Sequence, residues 1–454
     1  MKKFITTLQN IWKIEELKKR ILFTLGMLFV FRVGSFIPLP GVDPVVLENV
    51  TSSDSKDLLG LINMFTGGAF NNGAIFALGI MPYITASIIV QLLGFAVPYF
   101  QKLQQKEGES GRKKIGQITR LLTVAITLVQ GGGYLAYIKN NLGAVDPSMQ
   151  ESSVFWFSNI IVLSAGTIFA MWMGERITEK GIGNGVSLLI TVGIIAILPQ
   201  SIAAEILKQF GVGTFYLLII EFAALFFVVM ATVAIVQAVR RIPIQFAKRM
   251  VGRGTGQMPV AGARDFIPLK VNAAGVMPII FAQALMFLPA TISGVIYPES
   301  GGAGWMQTMA DPFSGPYNVI YFFMVVLFTY VYTALLVNPK QYAEYLKRQN
   351  AFIPGIKPGK PTAEFIDATT TRITLPGSIF LGLISILPAI AYAFGVNQSF
   401  ALFFGGTSLL ILVAVVLDTL QQIESYLLMR KYDGLVKSGR VQGRSRLQSI
   451  GANM

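Results

Sequence analysis

Two residue types are missing from this chain altogether. Its 454 residues include neither cysteine nor histidine. Without cysteine there is no disulfide, no thiolate nucleophile and no thiolate metal site. Without histidine there is no imidazole ligand, no histidine-based triad and no ordinary proton shuttle. Charge is scarce too: Asp, Glu, Lys and Arg make up 13% of the residues, against about 25% in a soluble domain. No GxxxxGK[ST] string occurs. The nearest, Gly355 to Lys360, has the wrong spacing and no expected strand before it. The chain is therefore not expected to be an enzyme, to burn nucleotide or to hold a cofactor or metal. What is abundant is apolar: 53% of residues are hydrophobic and the mean hydropathy is +0.60. These values describe an integral membrane protein, and an all-α one.

One stretch organises the rest. Leu58–Gln101 runs for 44 residues without a charge. A membrane-crossing helix needs about 20 apolar residues, so length alone allows two crossings. The flanks argue for one. Asp43, Glu48, Asp54 and Asp57 precede the stretch, whereas Lys102, Lys106, Arg112, Lys113 and Lys114 follow it. Basic loops stay in the cytoplasm, so the two ends face opposite sides. A single crossing over 75–98 fits, which leaves the front half apolar but not spanning. Gly67, Gly68, Asn71, Asn72 and Gly73 make that half a poor lipid-facing helix. Backbone of this kind at membrane depth is buried in protein or lines a cavity. A short re-entrant piece inside a bundle is one reading; an amphipathic segment lying on the outer surface is the other.

Along the chain, Phe4, Leu8, Ile11 and Trp12 recur at helical spacing among Lys2, Lys3, Lys13, Lys18, Lys19 and Arg20. This pattern predicts an amphipathic helix at the cytoplasmic face. The apolar run over 21–40 carries no small-x-small cleavage site and is expected to stay as a span. Further spans are expected near 119–138, 153–173, 185–203, 213–239, 271–292, 317–337, 373–394 and 401–421, ten in all. With the N-terminus inside, 33 of the 37 lysines and arginines are cytoplasmic. Lys56, Lys139 and Lys208 fall outside and Arg32 lies in the first span. The net charge of +14 is thus a topology signal before it is a nucleic-acid footprint, and no specific DNA partner is expected. Ten spans divide into two sets of five that start from opposite sides, an inverted architecture if the halves are related. Residues 1–203 would form one half and 204–430 the other, with 431–454 a basic cytoplasmic tail. Charges within spans are few: Arg32, Glu221 and Asp418. Arg32 is expected to pair inside the bundle.

Two cytoplasmic loops are long, 240–270 and 338–372. The first has seven bases and can form a β-hairpin, since IPIQFAKRMVGRGTGQMPVAG places Gly-rich turns between mixed strands. Structureless loops of this length are uncommon unless functional. They could dock an acidic protein or ribosomal RNA, or bind anionic lipid.

Several strings occur in order: NMFTGGAF with ALGIMPYITASIIVQLL, then EGESGRKKI, GIGNG, IPLKVNAAGVMP, FIPGIKPGKPT and GGTSLLI. Through them the chain resembles the SecY family, the pore subunit of the Sec protein-translocation channel of bacteria, across essentially all ten spans. The resemblance implies ten helices in two pseudo-symmetric halves around an hourglass pore, closed by a ring of aliphatic side chains and a short plug. The plug maps onto Leu61–Asn72 and includes Leu61, Ile62, Met64, Phe65, Gly67, Gly68 and Phe70. The ring maps onto Ile80, Ile84, Val186, Ile190, Ile280 and Ile411. The family also opens sideways between its second and seventh spans. In this chain Ser87, Gln91 and Gln283, with Gln130 from the third span, would hold that gate or act as plain interhelical glue. Arg240, Arg241, Lys248, Arg249, Arg253, Lys357 and Lys360 map to the family's docking surface for the SecA motor and the ribosome. Relatives usually carry Arg where Lys357 stands; the charge is kept and the planar fork is lost. Arg253-Gly254-Thr255 likewise replaces a pair of bases at the tip of the first loop.

The resemblance implies SecE and SecG as partner subunits, SecA and the ribosome as driving partners, and secretory preproteins, nascent membrane proteins and lipid as what the channel meets. The location implied is the cell membrane, with both termini cytoplasmic. The competing reading is an ion-coupled secondary transporter of a small solute, which would share ten spans and broken helices. A proton-coupled carrier would bury His, Asp or Glu at the midplane, and this chain offers little of that.

Overall fold

The computed structural model describes Trp12 and residues 14–437, except 44–45, 48–58, 106–107, 140–142, 146–151, 247–248, 252–257, 261–263, 284 and 287–310. The amphipathic segment expected before Trp12, most of the loop over 293–316 and the tail beyond Lys437 lie outside the described residues.

The first helix, α1 (Glu15–Gly34), opens with Glu15 and Glu16 in its first turn, where acids complement the helix dipole. It buries Leu17, Thr24, Phe31 and Gly34. After it the chain descends as α2 (Leu59–Thr66) and a run of turns, and only then forms α3 (Met81–Ala96). Here the structure corrects the span expected over 75–98. Gly67, Gly68, Gly73 and Gly79 all have positive φ, at 68, 91, 59 and 53°. That region suits glycine and breaks a helix, so residues 67–80 are turns and helix resumes only where Pro82 can occupy its first turn. At 16 residues, α3 is about 24 Å long, short of the roughly 30 Å hydrocarbon core.

Several of the remaining helices, α5, α6, α7 and α11 among them, are longer than the apolar runs suggested. Short α4 (Pro98–Gln105) leads into α5 (Gly108–Tyr137), α6 (Ser153–Lys180), α7 (Gly185–Val212) and α8 (Phe215–Gln237). Asn184 caps α7 by accepting from the Ser187 amide, and Gly213 ends it with φ 78°. The junction placed between 203 and 204 therefore falls inside a helix, and the break in the chain is the turn at Gly213–Thr214. Two more helices complete the apolar bundle, α9 (Gly315–Leu336) and α11 (Lys360–Ala393), separated by α10 (Pro339–Arg348). Residues 277–283 and 285–286 are helical and lie within the expected seventh span. The last span is broken: α12 (Gln398–Ala401) is followed by Gly405–Gly406 and then α13 (Gly406–Lys437). Among the described residues, seven of the helices are long and apolar enough to cross a membrane. With α1, α3 and the helical residues 277–283 and 285–286 they account for the ten spans. Their outer faces expose Leu121, Val129, Phe157, Phe226 and Phe323, as suits a lipid-facing surface.

Many polar groups within the helices find partners close by, although buried Ser164, Thr167 and the Tyr332 hydroxyl have none among the described residues. Buried Thr119, Thr123 and Thr127 on α5 each donate a hydroxyl to the carbonyl four residues back, at 2.7–2.9 Å. Arg120 joins Glu175 through two hydrogen bonds of 3.1 and 2.7 Å and ties α5 to α6. Opposite ends of α7 are tied to the later part of the chain. The Gly183 amide donates to Gln422 of α13 at 2.8 Å. At the other end Glu205 accepts from the Asn397 amide at 2.6 Å, and Lys208 donates to the Gly395 carbonyl. Glu205 and Lys208 lie in a helix that the sequence pattern ended too early.

Both long loops belong to one small unit. Strand β1 (Val239–Phe246) pairs antiparallel with β4 (Arg264–Lys270), and β2 (Arg249–Val251) with β3 (Met258–Val260) nearer the tip. This is the expected hairpin. The second loop adds β5 (Ala351–Phe352) to the free side of β1. Ile242, Ile244 and Leu269 then pack with Leu346, Ala351, Ile353 and Ile366 into a separate core. A two-residue strand thus does precede the Gly355–Lys360 turn, but the phosphate-loop spacing is still absent.

Candidate functional site: an aliphatic cluster and its buried segment

The six residues of the expected ring lie on four elements, and each element begins just after a left-handed glycine. Gly79 precedes Ile80 and Ile84, Gly183 precedes Val186 and Ile190, Gly275 precedes Ile280, and Gly406 precedes Ile411; their φ values are 53, 78, 65 and 66°. A side chain rarely tolerates this backbone. Four helices therefore start at or just after a glycine turn.

All six fall in or against one large apolar cluster that also takes in Phe31, Tyr332 and Leu381. Ile80, Ile84, Ile190 and Ile411 are buried in one apolar cluster, and Val186 and Ile280 pack against it half-buried. Gly174 on α6 makes room: a Cβ there would lie 3.2 Å from Val186 and 3.4 Å from Ile80. A collar of branched aliphatic groups has no donor, acceptor or charge. When narrow it excludes water and ions by dewetting, and it offers a passing polypeptide nothing to bind.

The segment 61–72 enters the same cluster. Met64, Phe65 and Ala69 belong to it, while Phe70 joins a neighbouring core with Leu78, Tyr134 and Leu163. Gly67 and Gly68 form the turn, and a Cβ on Gly67 would stand 2.9 Å from the Gly193 Cα of α7. Leu61 and Ile62 lie in α2, but their side chains are outside the described residues. Removing Met64 and Phe65 from water is worth about 1.5–3 kcal/mol each, enough to keep the segment seated yet within reach of a competing ligand. Beyond Gly73 the chain is anchored: the Leu39 amide donates to the Gly73 carbonyl at 2.7 Å, and the Ile75 amide to the Ile37 carbonyl at 2.9 Å.

Arg32, whose partner the sequence did not reveal, donates to the carbonyl of Gly67. An arginine in an apolar run was the visible signal; the partner was a backbone atom, which no residue pattern marks.

The gate residues are less connected than expected. Gln91 donates to Ser87 at 3.3 Å within α3, one turn apart. Gln283 accepts from Thr407 at the start of α13 at 3.0 Å. Among the described residues no hydrogen bond joins Ser87, Gln91 or Gln130 to Gln283. The polar side chains of α3 bond locally because an i, i+4 partner is nearer than another helix.

Of the basic docking residues, Arg240 and Arg241 are exposed on β1, with the Arg241 guanidinium 4.9 Å over the Phe266 ring. Lys357 and Lys360 are exposed on the turn before α11. Arg249 lies in β2, while Lys248 and Arg253 fall outside the described residues. The four described side chains stand on the single sheet-and-helix unit formed by both loops.

Comparison with known proteins covers nearly all of the chain. A family model named SecY matches residues 74–420. A protein translocase subunit SecY of Streptomyces coelicolor is 43% identical over 95% of this chain and all of its own length. One from Chlamydia trachomatis serovar D is 40% identical over 97% of this chain, again along its whole length. Among solved structures, a protein-conducting channel aligns over 90% of this chain and 92% of its own, with a TM-score of 0.63 and 19% identity. Sec61 from a canine ribosome–channel complex aligns over the same shares with a TM-score of 0.60 and 18% identity. At that identity the structures speak for the fold.

Proposed function

Because the chain belongs to the SecY family, and is a protein-conducting channel subunit rather than an enzyme, we propose that its aliphatic cluster is the waist of the pore. Ile80, Ile84, Val186, Ile190, Ile280 and Ile411 form the collar. The segment Leu61–Asn72 is the plug that fills it when no substrate is present. The observation that carries this reading is the single apolar cluster shared by collar residues from four elements and by Met64, Phe65 and Ala69 of the segment. Unfolded secretory proteins pass through the waist, and apolar segments leave sideways between α3 and the helical residues 277–283. Ser87, Gln91, Gln130 and Gln283 line that exit.

The partners are the SecE and SecG subunits, with the SecA motor or the ribosome driving the substrate from outside the pore. The sheet-and-helix unit bearing Arg240, Arg241, Arg249, Lys357 and Lys360 is their docking platform, with Lys248 and Arg253 on the same hairpin. The protein is a multi-pass membrane protein; its proposed location is the cell membrane, with the platform and both termini in the cytoplasm. The proposed halves meet at Gly213–Thr214. The solute-transporter alternative is set aside, since its relatives over nearly full length are translocase subunits.

A secretory chain stalled in transit tests the waist directly. A photocrosslinker at residue 80 or 411 should capture it, whereas one at lipid-exposed Phe226 should not. Capture at residue 226 with none at 80 or 411 would move the path elsewhere.

A further inference from the structure

We propose that Arg32 is the latch that holds the plug in its seat; the proposal rests on reading Leu61–Asn72 as a plug. Arg32 lies two residues before the end of α1, in an otherwise apolar run. A guanidinium withdrawn from water needs a partner, and among the described residues no carboxylate supplies one. Its contacts are the Gly67 carbonyl, to which it donates, and the face of Phe36, 4.6 Å away.

Gly67 is a telling partner. It follows the last residue of α2, and its backbone is left-handed at φ 68°. Carbonyls at a helix C-terminus lack intrahelical donors and carry the negative end of the helix dipole, so a cation there is favoured. The same residue lies directly on α7. A Cβ on Gly193 would stand 2.5 Å from the Phe65 carbonyl and 3.1 Å from the Gly67 amide. Backbone rests on backbone, leaving no side chain at that contact to fasten the turn. Arg32 supplies the fastening from α1 on another side.

The latch also suggests how it is released. A polypeptide entering the pore carries a carbonyl at every residue, the same chemistry as the group Arg32 holds. An entering chain can therefore take the guanidinium from Gly67 while its side chains displace Met64 and Phe65 from the collar. When the chain leaves, Arg32 is left without an acceptor and Gly67 regains it.

The chain has no cysteine, so a single introduced thiol reports on one place. Asn71→Cys marks the plug, and Phe394→Cys marks a residue that is 80% exposed and distant in sequence. The assay is the labelling rate with a membrane-impermeant maleimide in vesicles holding the complete translocase. R32M should raise the resting rate at position 71 by about tenfold or more, as for loss of a charge-assisted bond, and leave position 394 unchanged. R32K, which keeps a cationic donor, should restore most of the protection. An unchanged rate at position 71 in R32M overturns the latch. So does R32M protein that fails to accumulate or that labels faster at both positions, since Arg32 would then hold the fold rather than the plug. Engaging a secretory chain on the parent protein separates the two readings. Faster labelling at position 71 on engagement supports a plug that moves, whatever R32M does; no change overturns the plug and the latch together.

Discussion

Ile84 shows what the proposed collar asks of a single residue. It is buried in the same apolar cluster as Ile80, Ile190 and Ile411, and its only polar atoms are those of its backbone. An amide in its place would bring a donor and an acceptor into an apolar cluster, where neither finds a fixed partner. Such burial costs about 1–3 kcal/mol, and the cost is relieved when water or a polypeptide enters. Ile84→Asn and Ile411→Asn should therefore weaken the closed state and pass preproteins with defective signal sequences. Export of a reporter carrying a crippled signal should rise by about tenfold for each 1.4 kcal/mol lost. Strict rejection of that reporter by both variants would remove these residues from the collar. None of the six could have been chosen by residue type alone, because isoleucine is common throughout the chain. What marked them was the resemblance to the SecY family, which maps each onto a matching string; the structure adds that a left-handed glycine precedes each one. The cost of a Cβ at the left-handed conformation explains why glycine stands there. Arg32 was visible as an oddity, but its acceptor was a main-chain oxygen and only the folded chain could name it.

At the scale of elements, the segment 59–80 was half legible. Its lack of charge, its glycines and its asparagines ruled out a lipid-facing helix, and the flanking charges fixed an odd number of crossings. The start of α3 was misplaced because hydropathy does not distinguish buried turns from helix: Ala74, Phe76, Ala77 and Leu78 are as buried as any helical residue. Likewise α7 outruns its apolar core, since Glu205 is buried with a backbone partner at Asn397 and ends nothing. For the polar residues expected at the gate, residue type names the side chain but not the neighbour it selects: Ser87 for Gln91 and Thr407 for Gln283. The two strand-like links from Leu39 and Ile37 to Gly73 and Ile75 make a deletion experiment clean. Removing 61–72 leaves these anchors in place, so α3 should keep its position. Protein export should continue while resting ion conductance across a planar bilayer rises, and unchanged conductance would show that the segment seals nothing.

On the scale of the whole molecule, the number of spans followed from hydropathy, and their proposed direction rests on the placement of lysine and arginine. The platform did not. The hairpin was readable from its turns, but the pairing of β1 with β5 joins residues about a hundred positions apart, and nothing local in Ala351–Phe352 announces it. Lys357 stands exposed on that unit as a point charge without the two-pronged geometry of arginine, and the proposed docking of a motor there rests on that charge. Lys357→Glu reverses the charge and should uncouple motor ATP hydrolysis from translocation, lowering the protein exported per ATP consumed by about tenfold. Normal coupling in that variant would take Lys357 out of the contact.

The strand β5 carries one more consequence. Because it binds the second loop to the hairpin of the first, and both share the core around Ile242 and Ile366, the two loops are one handle. A load placed on the hairpin is felt at the first turns of α11, in which Ile366 lies. If this handle is the proposed docking surface, a motor and a ribosome cannot each grip a loop of their own: whichever arrives first holds the whole grip, and the other waits its turn.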